Sequence, residues 1–319
     1  MLLSEAVEQL AIATRANGRT TATVQAYREK LSYLLNFLGN VAVDSITVHD
    51  LRRYVASLWD QPTRWAEHAE HNKIEGGLSP FTVAGRVRAF KRLFNFLIEE
   101  GIITENPARR IKTPSPKRHE PKGISTQDFL ALLGTCEAGK IADLRDRAIL
   151  CFLFDTGCRA RGLCRLRIGD LNLNKMRATV VEKGDKPRIV PFTEPTRKAL
   201  ENWLEMRPIQ LMGDWLFVRL SSHRPGPISP NGLGQMLIRR GKKAGTTGPI
   251  NPHAFRHAFA INFLLDGGDI GILSKLMGHE SVDITIKWYG IFVIGQLQEQ
   301  HRRHSAIMRL LGENNDGKN

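Results

Sequence analysis

A basic, proline-rich stretch divides this 319-residue chain and constrains its fold more than any other feature. Residues 106–123 contain four prolines, six Lys or Arg and one Glu. Proline lacks a backbone donor and disfavours helix in the residue before it, so no helix or strand can run through this stretch. The chain is also about twice as long as one ordinary domain. We therefore expect two domains joined by a basic linker over 108–124.

Helical patterns dominate the part before the linker. Thr20 precedes apolar residues at spacings of three and four, and Thr47 has an Asp three residues later, as in a capping box. Ser79 followed by Pro80 is typical of an N-cap and a first helical residue. Residues 1–107 are predicted to form a helical domain.

Basic residues at the end of this domain are candidates for contact with a polyanion, and nucleic acid is the first candidate. The chain has 46 Lys and Arg against 32 Asp and Glu, and both halves carry net positive charge. Three candidates share one helix face, which is equally typical of a solvated surface, and three lie in the linker. They are Arg88, Lys91 and Arg92, then Arg109, Arg110 and Lys112.

The pattern after the linker is mixed. An apolar helix is predicted through residues 144–154, and two strands over 176–181 and 188–192 form a hairpin with a basic tip. Helical patterns then dominate the domain, which we place at 125–311, and 312–319 is predicted to be a flexible tail. The fold class is therefore mainly α with a small β-sheet.

Several classes of function have no support. The longest apolar run has seven residues, far short of a membrane span, and the N-terminus lacks the features of a secretion signal, so we expect a cytoplasmic protein. The four cysteines have neither Cys-x-x-Cys spacing nor a suitably placed His, so no metal site is predicted. A Gly-rich nucleotide loop is also lacking.

Two polar residues at a predicted helix N-terminus could form an anion site, and two further polar residues follow them along the chain. Asn251 is a predicted N-cap, and His253 and Arg256 share one face of the following helix, whose N-terminus favours anions. His279 follows a glycine, and Tyr289 lies ten residues later. Each has an ordinary structural alternative, such as an ion pair, a helix cap or an aromatic core pair.

Together these residues closely resemble the signature of the tyrosine recombinases, the phage-integrase family. The second signature box is matched by Pro252-His253-x-x-Arg256-His257, Leu276-Met277-Gly278-His279 and Tyr289-Gly290. The first box is matched by Asp155-Thr156-Gly157-Cys158-Arg159, and the lysine hairpin by Lys183-Gly184-Asp185-Lys186-Pro187-Arg188. These motifs occur in the family's order, and the resemblance covers nearly the whole chain.

The resemblance implies a site-specific recombinase that cuts and rejoins duplex DNA through a 3′-phosphotyrosine. It implies a helical, SAM-like core-binding domain, a mixed α/β catalytic domain, and no cofactor. The enzyme would act as a nucleoid-associated tetramer on two DNA sites, with the segment from Gln296 to Leu311 docked on a neighbouring protomer. The resemblance leaves open whether its role is integration, excision, inversion or dimer resolution.

The resemblance also assigns roles to six residues. Tyr289 would be the nucleophile, and Arg159 and Arg256 would stabilise charge on the phosphorus oxygens. His253 would accept the phenol proton, and His279 would hydrogen-bond the scissile phosphate. Lys183 would protonate the leaving 5′-oxygen, although Lys186 lies on the same tip; His257 is assigned a structural role.

One departure from the family pattern affects the first box. The family usually has an acidic residue three positions after the first-box arginine, where this chain has Gly162. That acid supports the network around the arginine, so the local geometry must differ here. Two alternatives remain: a type IB topoisomerase with the same chemistry, and a DNA-binding regulator with impaired cleavage, which Gly162 would favour.

Overall fold

The chain folds into two compact units, Met1–His119 and Glu120–Asn319. The computed structural model describes residues 1–61, 63–64, 74–75, 77–116, 120–182, 187–208, 213–220, 226–294 and 297–310. These residues are mostly helical and include a small three-stranded sheet. The predicted fold class is confirmed.

The first unit is built from helices with a short strand pair. Its elements are α1 (Leu3–Ala16), α2 (Thr21–Leu38), α3 (Val48–Asp60), β1 (Thr63–Arg64), β2 (Ile74–Glu75) and α4 (Pro80–Glu99). The side chains of Thr20, Thr47 and Ser79 accept the predicted N-cap hydrogen bonds. α4 supplies much of the core, where Phe90 and Phe94 are fully buried.

The predicted linker contains residues of different character. Ala108 and Ile111 are buried in the core of the first unit, whereas Arg109, Arg110 and Lys112 are exposed. Because Ala108 and Ile111 face the core, the basic residues between and after them face the solvent.

The second unit contains the three-stranded sheet and eleven helices within the described ranges. They are α5 (Thr126–Gly134), α6 (Ile141–Thr156), α7 (Ala160–Arg165), β3 (Leu171–Asn172), β4 (Arg177–Val181), β5 (Pro187–Pro191), α8 (Glu194–Met206), α9 (Pro230–Ala244), α10 (Pro252–Leu265), α11 (Ile270–Met277), α12 (Val282–Tyr289), α13 (Ile291–Ile294), α14 (Leu297–His304) and α15 (Ala306–Leu310).

The sheet is antiparallel in the order β3-β4-β5, with Thr179 opposite Ile189. β4 and β5 match the predicted hairpin closely. β3 was not predicted, because a two-residue strand is too short to show alternation. The hairpin brings the residues on either side of its tip towards α7 and α11.

The buried helix α6 anchors the site. It packs against α8 and α10, and it ends at Gly157, which has a left-handed φ of 57°. A Cβ at this position would lie 2.6 Å from a ring atom of Phe259, so glycine allows α6 and α10 to approach. Within the part of the chain described here, no helix is both long and apolar enough to span a membrane.

Candidate active site

Three guanidinium groups converge on the C-terminal end of α11. The last carbonyls of a helix lack amide partners and carry partial negative charge, so they attract cations. Each accepts a hydrogen bond from one arginine: Leu276 from Arg188, Met277 from Arg256 at 2.6 Å, and Gly278 from Arg159 at 3.4 Å. The end of one helix thus gathers arginines from three separate parts of the sequence.

Gly278 is required for this convergence. It ends α11 with a left-handed φ of 63°. A Cβ there would lie 2.7 Å from both Cδ and Nε of Arg188, so any other residue would displace that side chain. The Gly-His pair of the signature therefore has a packing reason as well as a conformational one.

Arg256 is the most deeply buried of the three arginines. It projects from α10, whose first turn is capped by Asn251, and it also donates to the Gly157 carbonyl at 2.8 Å. Burial, together with the nearby charge of Arg159, lowers its pKa to about 10. Among the described residues its hydrogen-bond partners are carbonyls and the His279 ring, not a carboxylate. The site therefore keeps uncompensated positive charge.

Glu182 is a site residue that the sequence analysis missed. Its carboxylate accepts hydrogen bonds from the backbone N–H of Arg159 at 2.8 Å and from the guanidiniums of Arg159 and Arg188. Burial raises the pKa of Glu182, but the charge and hydrogen bonds of Arg188 and the Arg159 contacts outweigh it, so the net shift is downwards. Glu182 is therefore ionised beside two arginines.

His279 is held between two partners. Its Nε2 lies 3.1 Å from Nη2 of Arg256, and its Nδ1 lies 2.7 Å from Oγ1 of Thr285. Because arginine can only donate, Nε2 is the acceptor, and a neutral ring then carries its proton on Nδ1. Burial lowers the pKa of His279 to about 4, with help from the charges of Arg256 and Arg159. The ring is neutral at pH 7.

Tyr289 ends α12 with its side chain buried. Its hydroxyl lies 2.7 Å from Nδ1 of His257, and burial raises its pKa to about 12, opposed by the charge of Arg256. His253, the predicted proton acceptor, is exposed one turn earlier on α10. The contact of His257 was missed, although its position four residues after His253 places it near the same face.

The hairpin tip with Lys183 and its alternative Lys186 lies outside the described residues. Glu182 and Arg188 flank that tip and both belong to the site. Across the described ranges, no group of three or more His, Cys, Asp or Glu side chains could hold a metal ion.

Two family models match this chain in sequence. Residues 122–290 match the phage integrase family, and residues 3–113 match the phage integrase SAM-like domain. The chain belongs to the phage integrase family. This confirms the family predicted from the signature residues, and the first match spans every residue assigned a catalytic role.

Curated relatives of this integrase-family protein carry the name tyrosine recombinase. XerC of Alcanivorax borkumensis is 30% identical over 268 residues, which cover 82% of this chain and 81% of the relative. XerD of Listeria monocytogenes serovar 1/2a is 31% identical over 273 residues, or 84% and 87% of the two chains. This chain is a tyrosine recombinase, and the relatives favour neither the topoisomerase nor the regulator.

Solved structures support the fold of this recombinase. A Tn1549 transposon integrase in complex with transposon right end DNA has a TM-score of 0.73 at 20% identity, covering 96% of this chain and 100% of that one. A lambda integrase dimer bound to a core site has a TM-score of 0.68 at 16% identity, covering 89% and 97%.

The predicted basic residues of the recombinase's first unit differ in their surroundings. Arg88 is exposed on α4. Lys91 donates to the carbonyl of Ile111 at 2.7 Å, and Arg92 donates to both carboxylate oxygens of Glu99 at 2.9 Å. Two of the three residues on the predicted face therefore already have partners within their own unit.

Proposed function

We propose that this recombinase is site-specific and cuts and rejoins duplex DNA through Tyr289. The observation that carries the proposal is the gathering of Arg159, Arg256, His279 and Tyr289 around one end of α11, with the charge of Arg256 acting on the Tyr289 phenol. The structural relatives named above hold DNA in their complexes, which supports the choice of substrate.

The arginines fit the chemistry of a phosphodiester. Attack on phosphorus spreads negative charge over the non-bridging oxygens, and fixed cations stabilise that charge most effectively in a site that excludes water. Arg159 and Arg256 are permanently charged and can each contact two oxygens. Helix carbonyls orient both guanidinium groups, and Glu182 holds that of Arg159 as well.

The covalent step conserves the bond energy of the DNA backbone. The phenol oxygen of Tyr289 forms a bond to phosphorus, the bond to the 5′-oxygen breaks, and a 3′-phosphotyrosine remains. We assign His253 to accept the phenol proton and Lys183 to protonate the leaving oxygen. In the structure the phenol is held by His257, so it must exchange this partner for His253 before attack.

His279 must also change partners. Its Nε2 accepts a hydrogen bond from Arg256 in the structure. A phosphate oxygen offers Arg256 a charged acceptor in place of that nitrogen, since bonds to ionised groups are the stronger ones. The released imidazole can then turn towards the phosphate and, as the tautomer with its proton on Nε2, donate a hydrogen bond to a phosphate oxygen, the role that we propose for it.

We assign DNA-backbone contacts to six basic side chains of the first unit and its end. Exposed guanidinium and ammonium groups bind phosphates and release counterions, without specifying sequence. Arg88, Arg109, Arg110 and Lys112 are exposed as this role requires. Lys91 and Arg92 would leave their present partners to join them.

We propose a tetramer on two DNA sites, with the C-terminal segment docked on a neighbouring protomer. The described part of that segment forms α14 and α15, and its apolar side chains are unusually open: Leu297 is 59% exposed, Ile307 62% and Leu310 83%. Burial of such side chains is favourable, and a second copy of the chain supplies the surface. The assembly would act on the nucleoid.

The substitution Tyr289→Phe tests the proposed function. The target site is first recovered by sequencing DNA attached to trapped adducts of the wild-type protein. On a nicked duplex with that site, we expect the variant to bind as the wild type does and to form no covalent adduct. A persistent adduct in the variant would assign the nucleophile to another residue. If neither the wild type nor the variant formed an adduct, the proposed function would be refuted.

A further inference from the structure

Gly162 and Glu182 occupy adjoining space in the second unit. Gly162 lies within α7, three residues after Arg159, at the position where the family usually has an acid. A Cβ there would lie 3.1 Å from Cγ, 3.2 Å from Oε1 and 3.6 Å from Cδ of Glu182. The space that a side chain at 162 would fill is thus taken by the end of the Glu182 side chain.

The contacts of Glu182 are those of a group that orients Arg159. One oxygen accepts from the Arg159 backbone N–H at 2.8 Å, and the other accepts from its guanidinium. The same carboxylate binds Arg188 at 3.1 Å, and its side chain is only 5% exposed. Arg159 is thereby held at both its main chain and its side chain by one fixed anion.

The balance of charge at the site is a second reason to assign Glu182 the role of orienting Arg159. Three arginines meet at the end of α11, and within the described ranges Glu182 is the carboxylate bonded to two of them, Arg159 and Arg188. Without it, like charges would repel and Arg159, whose side chain is one-third exposed, would be free to turn towards solvent. A guanidinium that turns away no longer meets the phosphate oxygens.

We propose that Glu182 is the positioning residue for Arg159 and replaces, from the hairpin, the acid that is absent from position 162. The glycine at 162 leaves the space that the Glu182 side chain fills, and Glu182 supplies the carboxylate that position 162 lacks. This inference rests on the proposed function, because Arg159 is positioned for phosphate chemistry. It also accounts for a departure that would otherwise favour a regulator with impaired cleavage.

The test measures adduct formation on the nicked duplex recovered from trapped wild-type adducts. Glu182→Gln keeps the shape of the side chain and removes its charge. We expect the adduct rate at saturating protein to fall by about 10²-fold, as for a displaced catalytic group, with little change in the protein concentration needed for half-saturation. The matched control is Glu194→Gln, which removes a carboxylate paired with Arg197 on α8, and it should retain the wild-type rate.

A variant in which the acid is moved from position 182 to position 162 distinguishes a positioning role from a general effect on stability. Glu182→Ala removes all three atoms that a Cβ at 162 would meet, so the double variant Gly162→Glu/Glu182→Ala has room for an acid on α7. We expect adduct formation by this double variant to be at least about ten-fold faster than by Glu182→Ala, a coupling typical of neighbouring groups. Thermal unfolding identifies variants that fail to fold.

The outcomes are distinct. A wild-type rate in Glu182→Gln, or no recovery in a folded double variant, would overturn the role of Glu182 while leaving Tyr289 as the nucleophile. Absence of adduct in the wild type itself would instead refute the proposed function. Loss in Glu182→Gln with recovery in the double variant supports the positioning role of Glu182.

Discussion

The second unit contains two buried arginine clusters that differ in charge balance. In the first, which we call the paired cluster, Arg145 and Arg240 are bonded to Asp143 and Asp146. In the second, the site cluster, Arg159 and Arg188 share the carboxylate of Glu182, whereas Arg256 is bonded to backbone carbonyls and His279. Both clusters satisfy their remaining donors with backbone carbonyls.

This difference in charge balance indicates that the paired cluster stabilises the fold and that the site cluster binds an anion. Asp146 is fully buried and accepts hydrogen bonds from Arg145 and Arg240, so the two aspartates balance the two buried arginines and the paired cluster joins α6 to α9. The site cluster retains an excess of positive charge in a half-open setting. A protein keeps such an excess where an anion will bind, because an unpaired buried cation is otherwise costly.

The largest expected effect is on the site cluster. Arg256→Ala should lower the rate of adduct formation by about 10⁴-fold, since an arginine that stabilises transferring phosphate contributes this much. The variant should still fold, because the loss of its hydrogen bonds is offset by relief of its repulsion with Arg159. Adduct assays and thermal unfolding measure the two effects. A near-normal rate would refute the phosphate site.

The paired cluster should show the opposite response. Asp146→Ala leaves Arg145 and Arg240 buried without this carboxylate, and breaking a buried ion pair costs about 3–5 kcal/mol of unfolding free energy. Urea unfolding measures this loss. Asp266→Ala, at an exposed position, is the control. If Asp146→Ala were as stable as the wild type, the contrast between the clusters would fail.

A smaller effect is expected from pH acting on the site cluster. The pKa of His279 is about 4 in the folded protein and near 6.5 in the unfolded chain, which therefore binds more protons between these values. The contribution of His279 is complete above pH 6.5 and is lost as pH falls towards 4. His279→Gln should flatten the fall in unfolding free energy across this window, whereas His49→Gln, at an exposed position, should not. Equal slopes for all three proteins would contradict the shift.

The smallest effect is expected in the first unit. Arg88→Ala removes one exposed cation and should reduce the slope of log affinity against log salt by about 0.9 for the recovered duplex. Arg92→Ala should change the slope less, because Arg92 is already paired with Glu99. Filter binding over a range of salt concentrations compares them. A larger change in Arg92→Ala would reverse their ranking.

Local signals of the sequence predicted much of the fold. The helix starts at Thr20, Thr47, Ser79 and Asn251 were recognisable because a cap and its amide are three residues apart. The β4-β5 hairpin was recognisable because its two strands follow each other along the chain with only a short tip between them. β3 was missed, since its pairing is not visible in two residues.

The sequence by itself determined the family, the helical fold class and the residue types that phosphate chemistry needs. Only the tertiary structure decided which groups hold them in place. Arg159 meets Glu182 across 23 residues and Gly278 across 119, and His257 meets Tyr289 across 32. Such contacts depend on how α6, α10 and α11 pack, and no periodicity along the chain encodes that packing. Gly162 was therefore visible as a missing acid, while the carboxylate beside it became visible only in three dimensions.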